Sequence, residues 1–292
     1  MSDVTTSTIK RVLSALVALP VYVIFLYTDM FYSLPVLAVS LIVTLACLFE
    51  YYQISGRDEN QKPFLWAGLI AGAAVNAVMY LYAFGGLRLV KSFDARVMLA
   101  LVALFTCSVL VYQIFRRPIQ GGIYSLAVTV FGVIYIVFGF SHLILLKAVN
   151  DGFYHILVLN IVVMLNDTFA YFGGVLFGRH KTGFAVSPNK SWEGYFSGLL
   201  FSVLSMIIST QVLKIFFGRD LGFGILEAAL VGIGLSLLGH LGDLVESAVK
   251  RDGSIKDSGS IIPGHGGMWD VFDALIFSMP FYYYYLVLKG MA

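Results

Sequence analysis

"LLGHLGDLVESAVKR", residues 237–251, is an apolar run that carries a histidine, two acids and, at its end, two bases. His240, Asp243, Ser247 and Lys250 recur at spacings of three, four and three, so a helix places them on one face. Glu246 lies beside that stripe, three residues after Asp243. Taken with the residues before it, 223–249 is long enough to cross a bilayer, which takes about 20 mostly apolar residues. An acid in a membrane helix costs several kcal/mol unless it is paired or solvated, so it marks function by default. Pairing with Lys250 at a helix end would explain the bases, but not an Asp243 about two turns deep.

Working outward, the rest of the chain is as oily as this helix. Of 292 residues, 59% are hydrophobic and only 12% charged, with a mean hydropathy of +0.86. Soluble domains carry about 25% charged residues, so polar surface is too scarce here for a water-exposed globule. The expected class is an all-α integral membrane protein, because lipid cannot satisfy an open backbone. About nine spans are expected: 12–29, 31–52, 65–86, 97–115, 123–147, 154–177, 194–217, 223–249 and 270–289. Residues 1–150 then hold five spans acting as scaffold, dimer contact or lipid contact, and 151–292 hold four catalytic spans. No cleavable signal peptide is read, since the first apolar run is long enough to span and no A-x-A-like site follows it. The net charge of +2 says little about partners. Cys47 and Cys107 sit in apolar runs and indicate no disulfide framework.

Lys and Arg decide orientation. With the N-terminus in the cytoplasm, twelve of them fall inside and seven outside, although "GGLRLVKSFDAR" runs against that bias. The loops 178–193 and 250–269 then both face the cytoplasm. The second is part of "KRDGSIKDSGSIIPGHGGMWDVFD", residues 250–273, which gathers three Lys/Arg, four Asp, one His and five Gly amid apolar sequence. In "PGHGG", 263–267, the glycines Gly264, Gly266 and Gly267 free the backbone to turn N–H groups toward an anion, and more so beside a helix N-terminus. Asp270 and Asp273 follow at a spacing of three, on one face of the last helix. Two carboxylates that close repel unless a cation lies between them, and oxygen ligands suit Mg²⁺. Bases, an anion nest and metal-binding acids make up the equipment for a nucleoside triphosphate. No Walker-type GxxxxGK[ST] occurs, which excludes a P-loop enzyme.

A second cluster is "NDTFAYFGGVLFGRHKTGFAVSPNKSWEG", 166–194. Asp167 lies within an apolar run with Tyr171 and Gly174 on its face, and Lys190 and Ser191 stand at a helix start that could hold phosphate. His142 and His155 receive no role, His180 reads as a solvated loop residue, and Glu50 in "LFEYYQI" is a lesser candidate, explicable as a helix end reaching headgroups.

The stretch S-x-x-K-R-x-x-x-x-K-D-S-G-x-x-x-P-G-H-G-G-x-x-D-x-x-D, residues 247–273, resembles the pattern of the phosphatidate cytidylyltransferases, or CDP-diacylglycerol synthases. "DTFAYFGGVLFGRHK…SPNKSWEG" is similar to that family's upstream stretch. The resemblance covers most of the second half; the first half matches in hydropathy alone. One position departs: the family's Arg after the first Asp of its D-R-x-D ending is Val271 here, with Arg251 the candidate to cover the gap.

The resemblance implies a reaction of CTP with phosphatidate that gives CDP-diacylglycerol and pyrophosphate, at the cytoplasmic face of a bacterial inner membrane. It implies Mg²⁺ held by Asp243, Asp270 and Asp273, with a second cation as an option. Lys250, Arg251 and Lys256 would clamp phosphates. Asp257 and His265 complete the catalytic set. Asp167, Lys190, Ser191, Ser247, Gly264, Gly266 and Gly267 are the substrate-binding set. Expected partners are CTP, the phosphatidate lipid and the membrane, with a homodimer left open and no nucleic acid. Two alternatives remain at this point: a related lipid kinase or isoprenoid-lipid cytidylyltransferase, and a non-catalytic, transporter-like membrane protein. Transporters tend to show paired or broken helices in both halves, whereas the intramembrane acids here concentrate in the second half.

Overall fold

The computed structural model describes residues 20–85, 95–262, 264 and 266–291. Among them there is no β-strand, only two isolated bridges. Eight helices are long and apolar enough to cross a membrane. They are α1 (Met30–Ser55), α2 (Leu65–Phe84), α3 (Ala95–Arg116), α4 (Gly122–Ala148), α5 (Gly152–Phe177), α6 (Trp192–Phe216), α7 (Ile225–Asp252) and α8 (Trp269–Leu288). Each corresponds to an expected span. The ninth expected span, 12–29, lies partly outside the described residues; its described part is helical over 20–27.

Local chemistry sets several helix edges. Phe31, Tyr32 and Ser33 have φ of 50, 57 and 62°, so regular geometry in α1 begins after them. Pro35 then falls in the first regular turn, where its missing N–H has no helical partner to lose. Within α4, residues Val133–Phe138 form a π-helical segment. Ser191 caps α6 by accepting from the Gly194 N–H at 3.3 Å, as its place before "WEG" suggests.

The chain divides into two compact units. The first contains the described residues up to Leu145 together with Asp252–Val271. Its interior is tied by polar groups that lipid cannot serve. Ser40 Oγ donates to Asn76 Oδ1 at 2.5 Å, and Asn76 Nδ2 donates to Thr44 Oγ1 at 3.0 Å, linking α1 to α2. Tyr52 Oη donates to the Thr129 carbonyl of α4 at 2.7 Å. Trp269 is fully buried, edge-on to Tyr51 at 5.5 Å and 6.1 Å from Tyr135.

The second unit contains Leu146–Arg251 and Phe272–Ala292. Here α5 and α6 cross with backbones nearly touching. A Cβ on Gly194 would lie 2.7 Å from the Ala170 carbonyl, and one on Gly198 would lie 2.9 Å from that of Asn166. Small residues four apart allow that approach in the absence of a hydrophobic drive between helices in lipid. Buried Asn166 accepts from Ser236 Oγ of α7 at 2.6 Å, and Ser202 Oγ of α6 donates to the Gly232 carbonyl of α7 at 2.8 Å. Gly242 of α7 brings α8 close, since a Cβ there would lie 2.6 Å from the Asp273 carbonyl.

Candidate functional site

In the second unit, the polar face of α7 meets an acid and a base from two other segments. Asp243, Glu246 and Asp273 each offer a carboxylate oxygen, and these oxygens lie within 4.8 Å of one another. Glu246 and Asp273 are buried, and the close backbone approach at Gly242 brings α8 against α7 beside Asp243. Lys250 Nζ pairs with Glu246 Oε2 at 2.6 Å, one turn along the same helix. Ser247 Oγ donates to Asp243 Oδ1 at 3.3 Å, as the stripe spacing leads one to expect. Lys190 pairs with the other oxygen of Asp243.

Lys190 reaches that position from a short hairpin. Thr182 N–H donates to the Lys190 carbonyl at 3.0 Å, and Trp192 N–H donates to the His180 carbonyl at 3.0 Å. Lys181 Nζ donates to the Asn189 carbonyl at 2.9 Å. His180 is exposed and its Nδ1 lies 2.5 Å from Glu193 Oε1. The hairpin, α5, α6 and α7 line a cleft of about 620 Å³. Asp167, Tyr171 and Gly174 share its wall, as their spacing predicts, together with Lys190, Ser191 and Asp243.

The donor set fits a hard divalent cation. It is all carboxylate oxygen, and two lysines against three carboxylates leave the cluster net negative. Asp243 and Asp273 are two of the three acids expected from sequence. Glu246 takes part, and Asp270 is engaged within the first unit. There Asp270 Oδ2 accepts from Ser258 N–H at 2.9 Å, Ser258 Oγ at 3.0 Å and Gly267 N–H at 2.7 Å. An acid in the first turn of α8 thus ties down the loop that leads into the helix.

Two glycine N–H groups of the loop are engaged by the chain itself. Gly264 and Gly266 have φ of 83 and 101°, as a glycine turn requires. The Gly266 N–H, however, donates to the Ile262 carbonyl at 3.2 Å, and the Gly267 N–H serves Asp270. These two N–H groups hold the loop's own shape. Lys256 and Asp257 on this loop are exposed, as is Arg251 at the end of α7. His265 lies outside the described residues. Glu50 is the residue whose importance sequence spacing did not signal: it is buried on α1 and accepts from Met268 N–H at 2.9 Å, Trp269 N–H at 2.8 Å and Ser258 Oγ at 3.0 Å.

Residues 9–289 match the Cytidylyltransferase family. A phosphatidate cytidylyltransferase of Staphylococcus haemolyticus (strain JCSC1435) is 43% identical over 148 residues, 51% of this chain and 54% of that one. The phosphatidate cytidylyltransferase of Bacillus subtilis (strain 168) is 36% identical over 190 residues, 65% of this chain and 66% of that one. That of Staphylococcus aureus (strain COL) is 41% identical over 131 residues, covering 45% and 48%. The chain spans about half the length of most of the curated relatives it matches.

Proposed function

Because this chain belongs to the cytidylyltransferase family, we propose that it transfers the cytidylyl group of CTP to phosphatidate at a membrane surface. A phosphate oxygen of phosphatidate bonds to the α-phosphorus of CTP. The bond from that phosphorus to the β-phosphate bridging oxygen breaks, and pyrophosphate leaves. The observation that carries the reading is the cluster of Asp243, Glu246 and Asp273, with Asp243 and Lys190 on the wall of the cleft.

Asp243, Glu246 and Asp273 would hold Mg²⁺, which neutralises triphosphate charge and eases the departure of pyrophosphate. The chain's own groups do the rest. Within the second unit Lys190, Lys250 and Arg251 supply cationic contacts to phosphate oxygens, and Ser247 fixes one oxygen of Asp243; Lys256 is the first unit's candidate for such a contact. Both reactants are already anionic phosphates, so no strong general base is needed, and positioning with charge stabilisation carries the catalysis. We place the site on the cytoplasmic side, supported by the twelve-to-seven count of basic residues.

The test uses the purified protein in detergent with CTP labelled in its cytosine ring, and Mg²⁺. Label is expected in a lipid product only when phosphatidate is present, with one pyrophosphate released per lipid. Label transferred instead to a polyprenyl phosphate, or no transfer with either lipid, overturns the proposal.

A further inference from the structure

Glu50 is a carboxylate buried to 3% exposure, 208 residues before the nearest of its side-chain partners. Among the described residues it is in no ion pair. Its charge is held by two backbone N–H groups and one hydroxyl, all from the segment that closes on the start of α8. Ser258 stands within the loop, and Met268 and Trp269 at its junction with α8. One side chain from α1 therefore ties the body of the loop to the start of α8. The helix start adds its positive dipole end to the same carboxylate.

The loop is shaped around this carboxylate. A Cβ on Gly259 would lie 2.6 Å from Glu50 Oε1, and one on Gly267 would lie 2.5 Å from Oε2. At both positions side-chain oxygens already occupy the space a Cβ would take, Glu50 at each and Ser258 Oγ also at Gly267, a reason for glycine separate from anion binding. Next to Glu50, Tyr51 packs on buried Trp269, which fixes the same joint from its apolar side. Ser258 Oγ is 3.0 Å from Glu50 and 3.0 Å from Asp270, so one hydroxyl proton is shared between the two acids.

We propose that Glu50 is a positioning residue for the nucleotide: it touches no substrate, and it fixes the described residues of loop 253–268 so that they meet the triphosphate of CTP. The proposal rests on the reading of this loop as the triphosphate segment. Loss of a hydrogen bond to a charged group costs about tenfold to a hundredfold in binding. The effect falls on the nucleotide and spares the lipid substrate.

The test uses the full chain in detergent. In a Cys107→Ser background, with Cys47 buried, Ser260→Cys reports on the exposed loop through maleimide labelling. CTP with Mg²⁺ is expected to slow labelling when Glu50 is intact. If it does not, the triphosphate reading of the loop fails, and the proposal falls with it. With that protection established, Glu50→Gln, in the chain without the reporter cysteine, is expected to raise KM for CTP about tenfold or more and to leave KM for phosphatidate within twofold. Equal changes in both constants, or none, overturn the role of Glu50 alone. Should Glu50→Gln not fold, Ser258→Ala removes one donor and keeps the two N–H bonds, and the same split is expected at smaller size. An unchanged KM for CTP in Ser258→Ala then overturns the proposal.

Discussion

Replacing Gly242 by alanine tests the acid cluster without touching a charge. A Cβ at that position would lie 2.6 Å from the Asp273 carbonyl oxygen and 3.1 Å from the Ala274 Cα. A carbon–oxygen contact settles at about 3.3 Å or more, so α7 and α8 must part by roughly 0.7 Å. The neighbours are all backbone of α8 and cannot swing aside. Parting the helices moves Asp273 away from Asp243 and Glu246, whose oxygens lie within 4.8 Å of one another. Mg²⁺ demands near-ideal geometry, and a misplacement of about 1 Å costs about 100-fold in rate. Gly242→Ala is expected to lower kcat roughly 10- to 100-fold and to raise the Mg²⁺ concentration for half activity. Gly239→Ala, nearly one turn earlier, is the control, because its Cβ would find Asn166 Nδ2 at 3.6 Å and the Ala274 Cβ at 3.8 Å, ordinary contacts. Both changes add about 1 kcal/mol of helix propensity, so a loss confined to Gly242→Ala is not a helix effect. The assay is transfer of label from CTP to phosphatidate across a Mg²⁺ titration. Equal activity of the two variants would refute the reasoning.

Asp243→Asn, Asp273→Asn and Glu246→Gln are each expected to cut turnover by about 100-fold or more while the protein stays folded, since a neutral amide is a poor Mg²⁺ ligand; a Glu246→Gln enzyme at normal rate would remove that residue from the cluster. Cysteines at Ala185 and Ser260 are expected to react with a membrane-impermeant maleimide only from the cytoplasmic side of oriented vesicles. Labelling of either from outside would invert the assigned orientation. Val271 is 41% exposed, so Val271→Arg is expected to fold with a melting temperature within about 4 °C of the parent, the shift from roughly 1 kcal/mol, and to retain or raise activity; aggregation on purification would show that the position does not tolerate charge.

The spans were legible because a bilayer crossing is written in consecutive residues, and each of the eight long described helices matches an expected span within a few positions. Asp243 was legible for a similar reason, being one acid on an oily helix face. The partners of that acid were not. Asp270 and Glu246 each lie three residues from another acid, and spacing alone favours both. What separates them is the destination of the side chain: Asp270 turns to the N–H groups of its own approach loop, while Glu246 meets Asp273 across a helix contact set by Gly242. Gly267 suggested an anion nest because glycine freedom and glycine close packing look alike in sequence. Glu50 was the hardest to see, since its partners lie about 210 residues away and no local pattern encodes such a contact.

The hairpin that delivers Lys190 gives the cluster a component with its own clock. Two backbone hydrogen bonds, from Thr182 and from Trp192, join the arms of the hairpin, whereas α5 and α6 are locked by backbone contact along their crossing. Local opening is easiest where few buried contacts resist it. The Lys190–Asp243 pair can therefore break and re-form as the hairpin opens, with the helices standing still. In hydrogen exchange, the Thr182 and Trp192 amides will lose protection together, ahead of the α5 and α6 amides at the crossing.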